Sequence, residues 1–269
     1  MNIGFIGAGN LATALVVGCS KTPFFADNNF FAYDVFQPSL DNIAKFGVTP
    51  LSSVTQLITS CDMVILAVKP KDFADLLTRN ADCFKKKNPF IVSVAAGTEI
   101  SYIKSLLGYD AKLARIMPNI NARVQGSATA VFVQPDVTDA EKKCLIDFCK
   151  SFGGAFEIDE NMFAVFGVIG GCSPAFNYMY IDQLARAAVK LGMNKALALE
   201  VSAQAVKGSA EMILGSESHP YELIDKVCSP GGTTIEGITA LQENGFENAI
   251  NSAVTASYNK DCKMREKSK

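Results

Sequence analysis

The sequence is poor in the residue types that most metal sites and polyanion-binding surfaces require. Among its 269 residues there is one histidine, His219, and none of the eight cysteines forms a Cys-x-x-Cys pair. A single histidine cannot complete a Cys/His zinc cluster, so we expect no metal site. We predict that the cysteines are buried free thiols of a reducing cytosol. The net charge of −2 lacks the basic excess that attracts nucleic acid or an anionic membrane.

Long apolar runs are also missing. No uninterrupted apolar run reaches the roughly 18 residues that a membrane-spanning helix requires, so we expect no membrane span. A strand-like segment at 2–6 follows Met1 directly and leads into a glycine-rich segment, which cleavage of a signal peptide would destroy. We therefore expect a cytoplasmic protein.

The first half of the sequence alternates β-rich runs with amphipathic helical stretches. The predicted strands are 2–6, 30–34, 63–68, 90–94, 112–116 and 128–133, and the predicted helices include 11–20, 38–46, 71–80 and 99–107. The runs at 64–68 and 90–94 show little polar alternation, as is typical of strands covered on both faces. This pattern predicts βαβ units and an α/β N-terminal domain with a mostly parallel, doubly wound sheet of the Rossmann type.

After about residue 160 the sequence predicts helices only. These are 174–191, 195–214, 220–227, 234–243 and 246–264. We predict an α/β domain at 1–160 and an all-α domain at 161–269. The helix at 174–191 is apolar over most of its circumference, and so small a domain has trouble covering it. We expect a homodimer in which the helical domains pack together, and a monomer with a central buried helix is the alternative.

Residues 7–12, Gly-Ala-Gly-Asn-Leu-Ala, match the pattern G-x-G-x-x-G/A between a predicted strand and a predicted helix. Gly7 permits the tight turn, Gly9 leaves room for a pyrophosphate, and Ala12 keeps the helix close to the sheet. The N–H groups that open the helix favour the same anion. The segment predicts a site for NADH or NADPH, with a purely structural glycine turn as the alternative. The predicted loop contacts are Gly7, Ala8, Gly9, Asn10 and Leu11.

Asp34 ends the second predicted strand, 25 positions beyond Gly9. An acidic residue about 20 positions after the glycine loop can bind the ribose 2′-hydroxyl and repel a 2′-phosphate. No arginine follows in residues 35–38, so we predict a preference for NADH over NADPH. The alternative is that Asp34 only forms a turn.

Later strand ends should face the same crevice, because ligands of such sheets lie outside the carboxyl ends of the strands. Small residues there leave room for the nicotinamide ribose, and a lysine could reach a ribose hydroxyl or a phosphate. Ordinary strand-to-helix loops are the alternative. The predicted cofactor contacts at these ends are Ala67, Val68, Lys69, Pro70, Ala95, Ala96, Gly97 and Asn119.

The segment 229–234, Ser-Pro-Gly-Gly-Thr-Thr, is the most informative part of the helical half. Two adjacent glycines free the backbone just before a predicted helix, so several N–H groups can turn towards one carboxylate or small anion. The alternative is a plain helix cap made by Ser229 or Thr233. The predicted substrate contacts are Ser229, Gly231, Gly232, Thr233 and Thr234.

Over nearly its whole length the sequence resembles the pyrroline-5-carboxylate reductases. The motifs that carry the resemblance are residues 6–12, 67–70, 92–97, 115–119, 219–220 and 227–235, with 241–243 and 245–246. The resemblance implies a dinucleotide-binding domain, a helical dimerisation domain and an active site between them. It also implies that the 229–234 loop grips the substrate carboxylate and that Thr234 is catalytic, because its hydroxyl binds the ring nitrogen.

Two segments depart from the usual family pattern. The chain has Gly-Cys-Ser-Pro-Ala-Phe at 171–176 and Asn-Ile-Asn at 119–121, where the family usually has Gly-Ser-Gly-Pro-Ala-Tyr and Asn-Thr-Pro. Two other functions therefore stay open. One is a reductase of a different imine or a small keto acid, and the other is a dinucleotide-binding regulatory protein without turnover. His219 directly precedes Pro220, which favours a structural role at a helix start over catalysis.

Overall fold

The computed structural model describes residues 1–266 and divides the chain into two compact units. One unit contains residues 1–171 together with the chain from Tyr258 onwards, and the other contains residues 172–257. The predicted domain division at residues 160 and 161 stays a prediction. The last three residues of the predicted all-α domain, 267–269, lie outside the described part of the chain.

The first unit is built on one eight-stranded sheet with the order β3-β2-β1-β4-β5-β6-β7-β8. Every neighbouring pair is parallel except β6 and β7. The predicted doubly wound, mostly parallel sheet is therefore confirmed. The strands are β1 Asn2–Ile6, β2 Asn29–Tyr33, β3 Thr49–Pro50, β4 Met63–Leu66, β5 Phe90–Ser93, β6 Leu113–Met117, β7 Ser127–Val133 and β8 Gly153–Glu157.

All six predicted strands are present, each with ends within two residues of the prediction, and the prediction missed two strands at the edges of the sheet. β3 is only two residues long and ends in Pro50, which has no backbone N–H for a ladder. β8 begins with Gly153 and Gly154, and glycine is depleted in strands. Neither edge strand carries the β-branched run on which the prediction depended.

Helices cover both faces of this sheet. Neighbouring residues of the central strands point to opposite layers: Phe5 belongs to one buried cluster with Phe148, whereas Ile6 belongs to the other with Phe84. This alternation follows from the two-residue period of a strand and explains why the central strands are apolar throughout. The helices of this unit are α1 Asn10–Cys19, α2 Pro23–Ala26, α3 Gln37–Ala44, α4 Val54–Ser60, α5 Phe73–Lys87, α6 Ile100–Leu107, α7 Asp139–Lys150 and α8 Phe163–Phe166.

The remaining helices are α9 Ser173–Lys190, α10 Lys195–Leu214, α11 Pro220–Val227, α12 Thr233–Glu243 and α13 Phe246–Glu266. All five were predicted, and no strand occurs between residues 161 and 266, where the structure is described. α9 and α10 pack against each other. A π-helical turn, Gly167–Cys172, joins α8 to α9.

One helical stretch contradicts the expectation that no segment is long and apolar enough to span a membrane. Residues 160–190 form 31 helical residues with a mean hydropathy of 1.3 in an 18-residue window. The expectation was wrong for this stretch because it considered only uninterrupted apolar runs. By itself one such helix is weak support for a membrane span, since the core helix of a soluble protein has the same composition.

Gly18 lets α1 approach its neighbours closely. A Cβ atom at this position would overlap the carbonyl oxygen of Ala122 and lie 2.8 Å from the Cβ of Phe152. Both neighbours are fully buried, so neither has free space into which to move.

We expect Gly18→Ala to lower the free energy of unfolding by about 3 kcal/mol, because the added methyl group overpacks a buried contact with backbone. Chemical denaturation followed by circular dichroism measures this loss. Gly237→Ala is the matched control, since that exposed glycine of α12 has no atom within 4 Å of an added Cβ. The control should change stability by about 1 kcal/mol or less. Equal stabilities of the two variants would contradict the assignment of a tight contact at Gly18.

Candidate active site

The glycine loop lies where the ends of β1, β2 and β4 meet. The N–H group of Gly7 donates to the carbonyl oxygen of Tyr33 at 2.8 Å, and Ala67 donates to Ile6 at 2.8 Å. Gly7 has a φ of +103°, and a Cβ atom there would lie 2.6 Å from the carbonyl oxygen of Ala67. Both the backbone conformation and the close approach therefore require glycine at this position.

Gly9 opens the space that an anionic group of a cofactor needs. It is the N-cap residue of α1, no side chain caps the helix, and the first turn contains no acidic residue. An added Cβ on Gly9 would meet no atom within 4 Å. The N–H groups of the first turn thus combine a partial positive charge with open space in front of them. The start of α1 thus suits an anion such as a pyrophosphate, and the roles of Gly7, Ala8, Gly9, Asn10 and Leu11 as its contacts stay predictions.

Asp34 is tied to the glycine loop. One carboxylate oxygen accepts a hydrogen bond from the N–H group of Ala8 at 2.7 Å, and the other accepts one from Phe36 at 2.8 Å. These bonds give Asp34 the turn-forming role that was the alternative. Each oxygen keeps a further lone pair, so a contact with a ribose hydroxyl stays a prediction.

The predicted contacts after β4 and β5 lie at one edge of the sheet. The N–H group of Val94 donates to the carbonyl oxygen of Leu66 at 3.3 Å, which places these two strand ends side by side. Lys69 and Pro70 are exposed beyond β4, whereas Ala67 and Val68 are half-buried. Beyond β5, Ala95 is buried, Ala96 is exposed, and Gly97 takes a positive φ of +71° to turn the chain. The roles of these residues towards a cofactor stay predictions.

Asn119 holds the chain after β6 in place. Its side-chain amide donates to the carbonyl oxygen of Gly170 at 2.7 Å, and its side-chain oxygen accepts from the N–H group of Asn121 at 2.9 Å. The side chain is thus occupied at both ends by the protein itself. The structure shows Asn119 ordering two turns, and its predicted contact with the cofactor stays a prediction.

Sequence reasoning missed an ion pair between a buried arginine and a half-buried glutamate at this end of the sheet. The side chain of Arg115 is 4% exposed, and its Nη1 lies 2.8 Å from Oε1 of Glu160. The guanidinium also stacks over the ring of Phe163, with Cζ 4.5 Å from the ring centroid. The available signal was an arginine inside an apolar strand, because a buried cation requires a nearby carboxylate.

The segment 229–234 lies in the second unit and leads into α12. The helix begins at Thr233, one residue before the predicted start, and its N-cap is Gly232 without any side-chain cap. The alternative of a cap made by Ser229 or Thr233 is therefore wrong. Gly231 has a φ of +65°, and an added Cβ on Gly232 would overlap the hydroxyl of Ser229. The first N–H groups of α12 lack side-chain partners, which suits a carboxylate ligand.

The other polar candidates have structural roles. His219 caps α11 through Nδ1, which accepts from the N–H group of Tyr221 at 3.2 Å, in line with the predicted structural role. All eight cysteines are free, but only Cys19, Cys61 and Cys149 are buried, and Cys172 is exposed. The expectation of uniformly buried thiols was therefore wrong. Burial, with a smaller effect of Asp62, raises the pKa of Cys61 to about 12 and so keeps that thiol protonated.

Comparisons with known proteins match both parts of the chain. The family model for pyrroline-5-carboxylate reductase dimerisation matches residues 160–264, and that for NADP oxidoreductase, coenzyme F420-dependent, matches residues 2–97. The pyrroline-5-carboxylate reductase of Escherichia coli K12 is 36% identical over 97% of both chains. That of Aquifex aeolicus is 33% identical over 98% of this chain and 97% of the relative.

Solved structures are similar along the same length. A pyrroline-5-carboxylate reductase from Coxiella burnetii superposes with a TM-score of 0.89 at 28% identity, covering 97% of each chain. A pyrroline carboxylate reductase from Plasmodium falciparum with NADP bound superposes with a TM-score of 0.85 at 27% identity, covering 98% of each chain. With its glycine loop, its 229–234 loop and this identity along nearly its full length, the chain belongs to the pyrroline-5-carboxylate reductase family.

Proposed function

We propose that this protein reduces L-1-pyrroline-5-carboxylate to L-proline with hydride from a reduced nicotinamide dinucleotide, in the cytoplasm. The observation that carries the proposal is the uncapped start of α12 behind Gly231 and Gly232, because it provides a receptor for the substrate carboxylate. A reductase of neutral imines or ketones has no need of this receptor. The 36% identity with the Escherichia coli reductase over 97% of the chain supports the same reaction.

The protein contributes chiefly binding and orientation to this reaction. When bound, the reduced dinucleotide supplies the hydride. The first turn of α1 would hold its pyrophosphate, and the loops after β4 and β5 would hold its nicotinamide end. The 229–234 loop holds the carboxylate of the cyclic imine through backbone N–H groups. Correct alignment of two bound reactants lowers a barrier by up to about 7–11 kcal/mol, which makes orientation the main contribution.

Thr234 is the residue to which we assign contact with the ring nitrogen. Its hydroxyl can donate a hydrogen bond to the imine nitrogen and so draw electron density away from the carbon that accepts hydride. A threonine hydroxyl does not give up its proton permanently at neutral pH. The proton that converts the imine nitrogen to the amine therefore comes ultimately from solvent.

Asp34 supports a preference for NADH. Backbone N–H groups of Ala8 and Phe36 fix its carboxylate at the end of β2, beside the glycine loop. A fixed negative charge there repels a 2′-phosphate, and residues 35–38 supply no cation to offset it. The Plasmodium falciparum relative holds NADP in its crystal structure, so cofactor choice has to be measured on this chain.

We expect the protein to oxidise NADH in the presence of pyrroline-5-carboxylate, with a kcat/KM about tenfold or more above that with NADPH, which corresponds to about 1.4 kcal/mol. Absorbance at the nicotinamide band, followed with both cofactors in parallel, measures this ratio. Asp34→Ser should reduce the preference because it removes the charge. Other cyclic imines and keto acids serve as competing substrates, and faster reduction of one of these, or cofactor binding without oxidation, would reject the proposed reaction.

Replacement of Thr234 tests its contact with the substrate. We expect Thr234→Ala to lower kcat about 100-fold or more with little change in cofactor affinity, because the lost hydroxyl acts on the reacting imine. Thr234→Ser should restore most of the rate. Thr239→Ala on the exposed side of the same helix is the matched control and should behave as the wild type. Unaltered turnover in Thr234→Ala would remove this residue from the mechanism.

We also propose that the protein is a homodimer formed through α9 and α10. Each helix buries few of its own residues within the chain, and large apolar side chains stay uncovered. Met179 of α9 is 69% exposed and Val201 of α10 is 49% exposed. A second copy covers these apolar surfaces, and the match of residues 160–264 to a dimerisation family supports this partner over a lipid bilayer.

Sedimentation equilibrium at micromolar concentration should give twice the chain mass of 28.8 kDa, or a multiple of it. Val201→Glu should shift the mass towards one chain, because a charge would be buried in the apolar interface. Lys85→Glu on the exposed end of α5 is the control. An active wild-type protein that sediments as a stable monomer would disprove the dimer.

A further inference from the structure

Three residues at every second position, two in β6 and one just beyond it, contact the segment 160–170. Arg115 of β6 pairs with Glu160, and Asn119 beyond β6 donates to the carbonyl oxygen of Gly170. Between them, the sulfur of Met117 would lie 3.0 Å from a Cβ atom added to Gly167. Residues two positions apart in a strand point to the same side, so these contacts form one row. The strand that ends beside the cofactor loops thus fixes the path of the chain that follows the sheet.

Glu160 connects this row to the loop after β5. Its Oε1 accepts two hydrogen bonds, one from Nη1 of Arg115 at 2.8 Å and one from the N–H group of Ile100 at 2.9 Å. Ile100 is the first residue of α6, and Glu99 at its N-cap makes no side-chain cap bond. A carboxylate 60 positions away in sequence therefore caps this helix. The negative charge also suits the positive end of the helix dipole.

The loop that this bond anchors is Ala95–Thr98, which carries three of the predicted cofactor contacts. α6 starts one residue after Glu99, so a shift of its first turn is transmitted directly to Gly97 and Thr98. Thr98 is itself 6% exposed, which leaves the loop little freedom to adjust on its own. The position of the loop therefore depends on where Arg115 holds the carboxylate of Glu160.

We propose that Glu160 is a positioning residue of the reductase, which places the Ala95–Thr98 loop against the nicotinamide end of the dinucleotide. This inference rests on the proposed function. Glu160 acts through Ile100 and the start of α6, without contact with the reacting atoms. Arg115 orients the carboxylate, since its own side chain is only 4% exposed and its Nη1 lies 2.8 Å from Oε1 of Glu160.

The first test is Glu160→Gln, which keeps the shape of the side chain and removes its charge. We expect the dissociation constant of the reduced dinucleotide to rise about 10- to 100-fold, the range expected for loss of a charge-assisted hydrogen bond. Fluorescence titration without substrate measures it on the folded protein. We expect kcat with pyrroline-5-carboxylate to fall about 100-fold, with an unchanged KM for that substrate. Glu157→Gln on the exposed face of β8 is the matched control, and Gly9→Val gives the value for lost dinucleotide binding.

A second pair of variants removes only the donor on α6. Ile100→Pro removes the N–H group that donates a hydrogen bond to Glu160, and it leaves the ion pair between Glu160 and Arg115 intact. Proline is well tolerated at the first position of a helix, and Glu99 already has an extended backbone with ψ of 153° that suits the residue before proline. Ile100→Val keeps the N–H group and serves as the comparison. We expect the proline variant to bind the dinucleotide about tenfold more weakly than the valine variant.

A purely structural role predicts a different result. It would lower the melting temperature and the active fraction, and it would leave the dissociation constant of the folded protein unchanged. Wild-type affinity in folded Glu160→Gln, or equal affinities of Ile100→Pro and Ile100→Val, would overturn the proposal. Failure of both Glu160→Gln and Ile100→Pro to fold while Ile100→Val folds would also overturn it. A wild-type protein that binds the dinucleotide without reducing pyrroline-5-carboxylate would reject the proposed function and leave the affinity test of Glu160 valid.

Discussion

The close backbone approach at the carboxyl ends of β1, β2 and β4 is the constraint on which the candidate cofactor site depends. Gly7 is bonded to Tyr33 and lies against the carbonyl group of Ala67, so only a residue without a side chain fits there. The turn at Gly7 places Gly9 at the N-cap of α1, where open space lies in front of the first N–H groups of the helix. Asp34 then secures the loop from the neighbouring strand. A larger residue at position 7 would displace all three strand ends at once.

Much of the fold could be predicted from the sequence because central parallel strands must be apolar on both faces. The missed elements lack that signal or carry a different one. β8 begins with two glycines and lies at an edge, whereas α7 has a capping box between Thr138 and Glu141 that the prediction overlooked. The motifs of the candidate site could be predicted from the sequence, but the hydrogen bonds that hold them in place could not. Asp34 accepts a hydrogen bond from Ala8, 26 positions away, and Asn119 donates to Gly170, 51 positions away. Local sequence patterns contain no information about partners at such distances.

In the helical half, the apolar composition of a helix does not by itself identify its surroundings. The stretch 160–190 is apolar enough for a bilayer, yet it continues directly from a sheet domain and contains a π-helical turn with three glycines. Only 28% of its most apolar window is buried within the chain. An apolar helix that a single chain leaves uncovered needs some apolar partner, and hydropathy alone does not distinguish lipid from protein. The family match is the observation that favours protein.

The two ends of the sheet bear on how copies of this chain can associate. A free strand edge offers a ladder of unpaired N–H and carbonyl groups to any other extended chain. At one end β3 offers only two residues, one of them Pro50, and at the other β8 ends in Glu157, which forms an ion pair with Lys142 of α7. Both margins thus discourage edge-to-edge growth into fibres. The homodimer proposed through α9 and α10 uses side chains on helices instead, and a contact of that kind can give a closed assembly in place of an open-ended one.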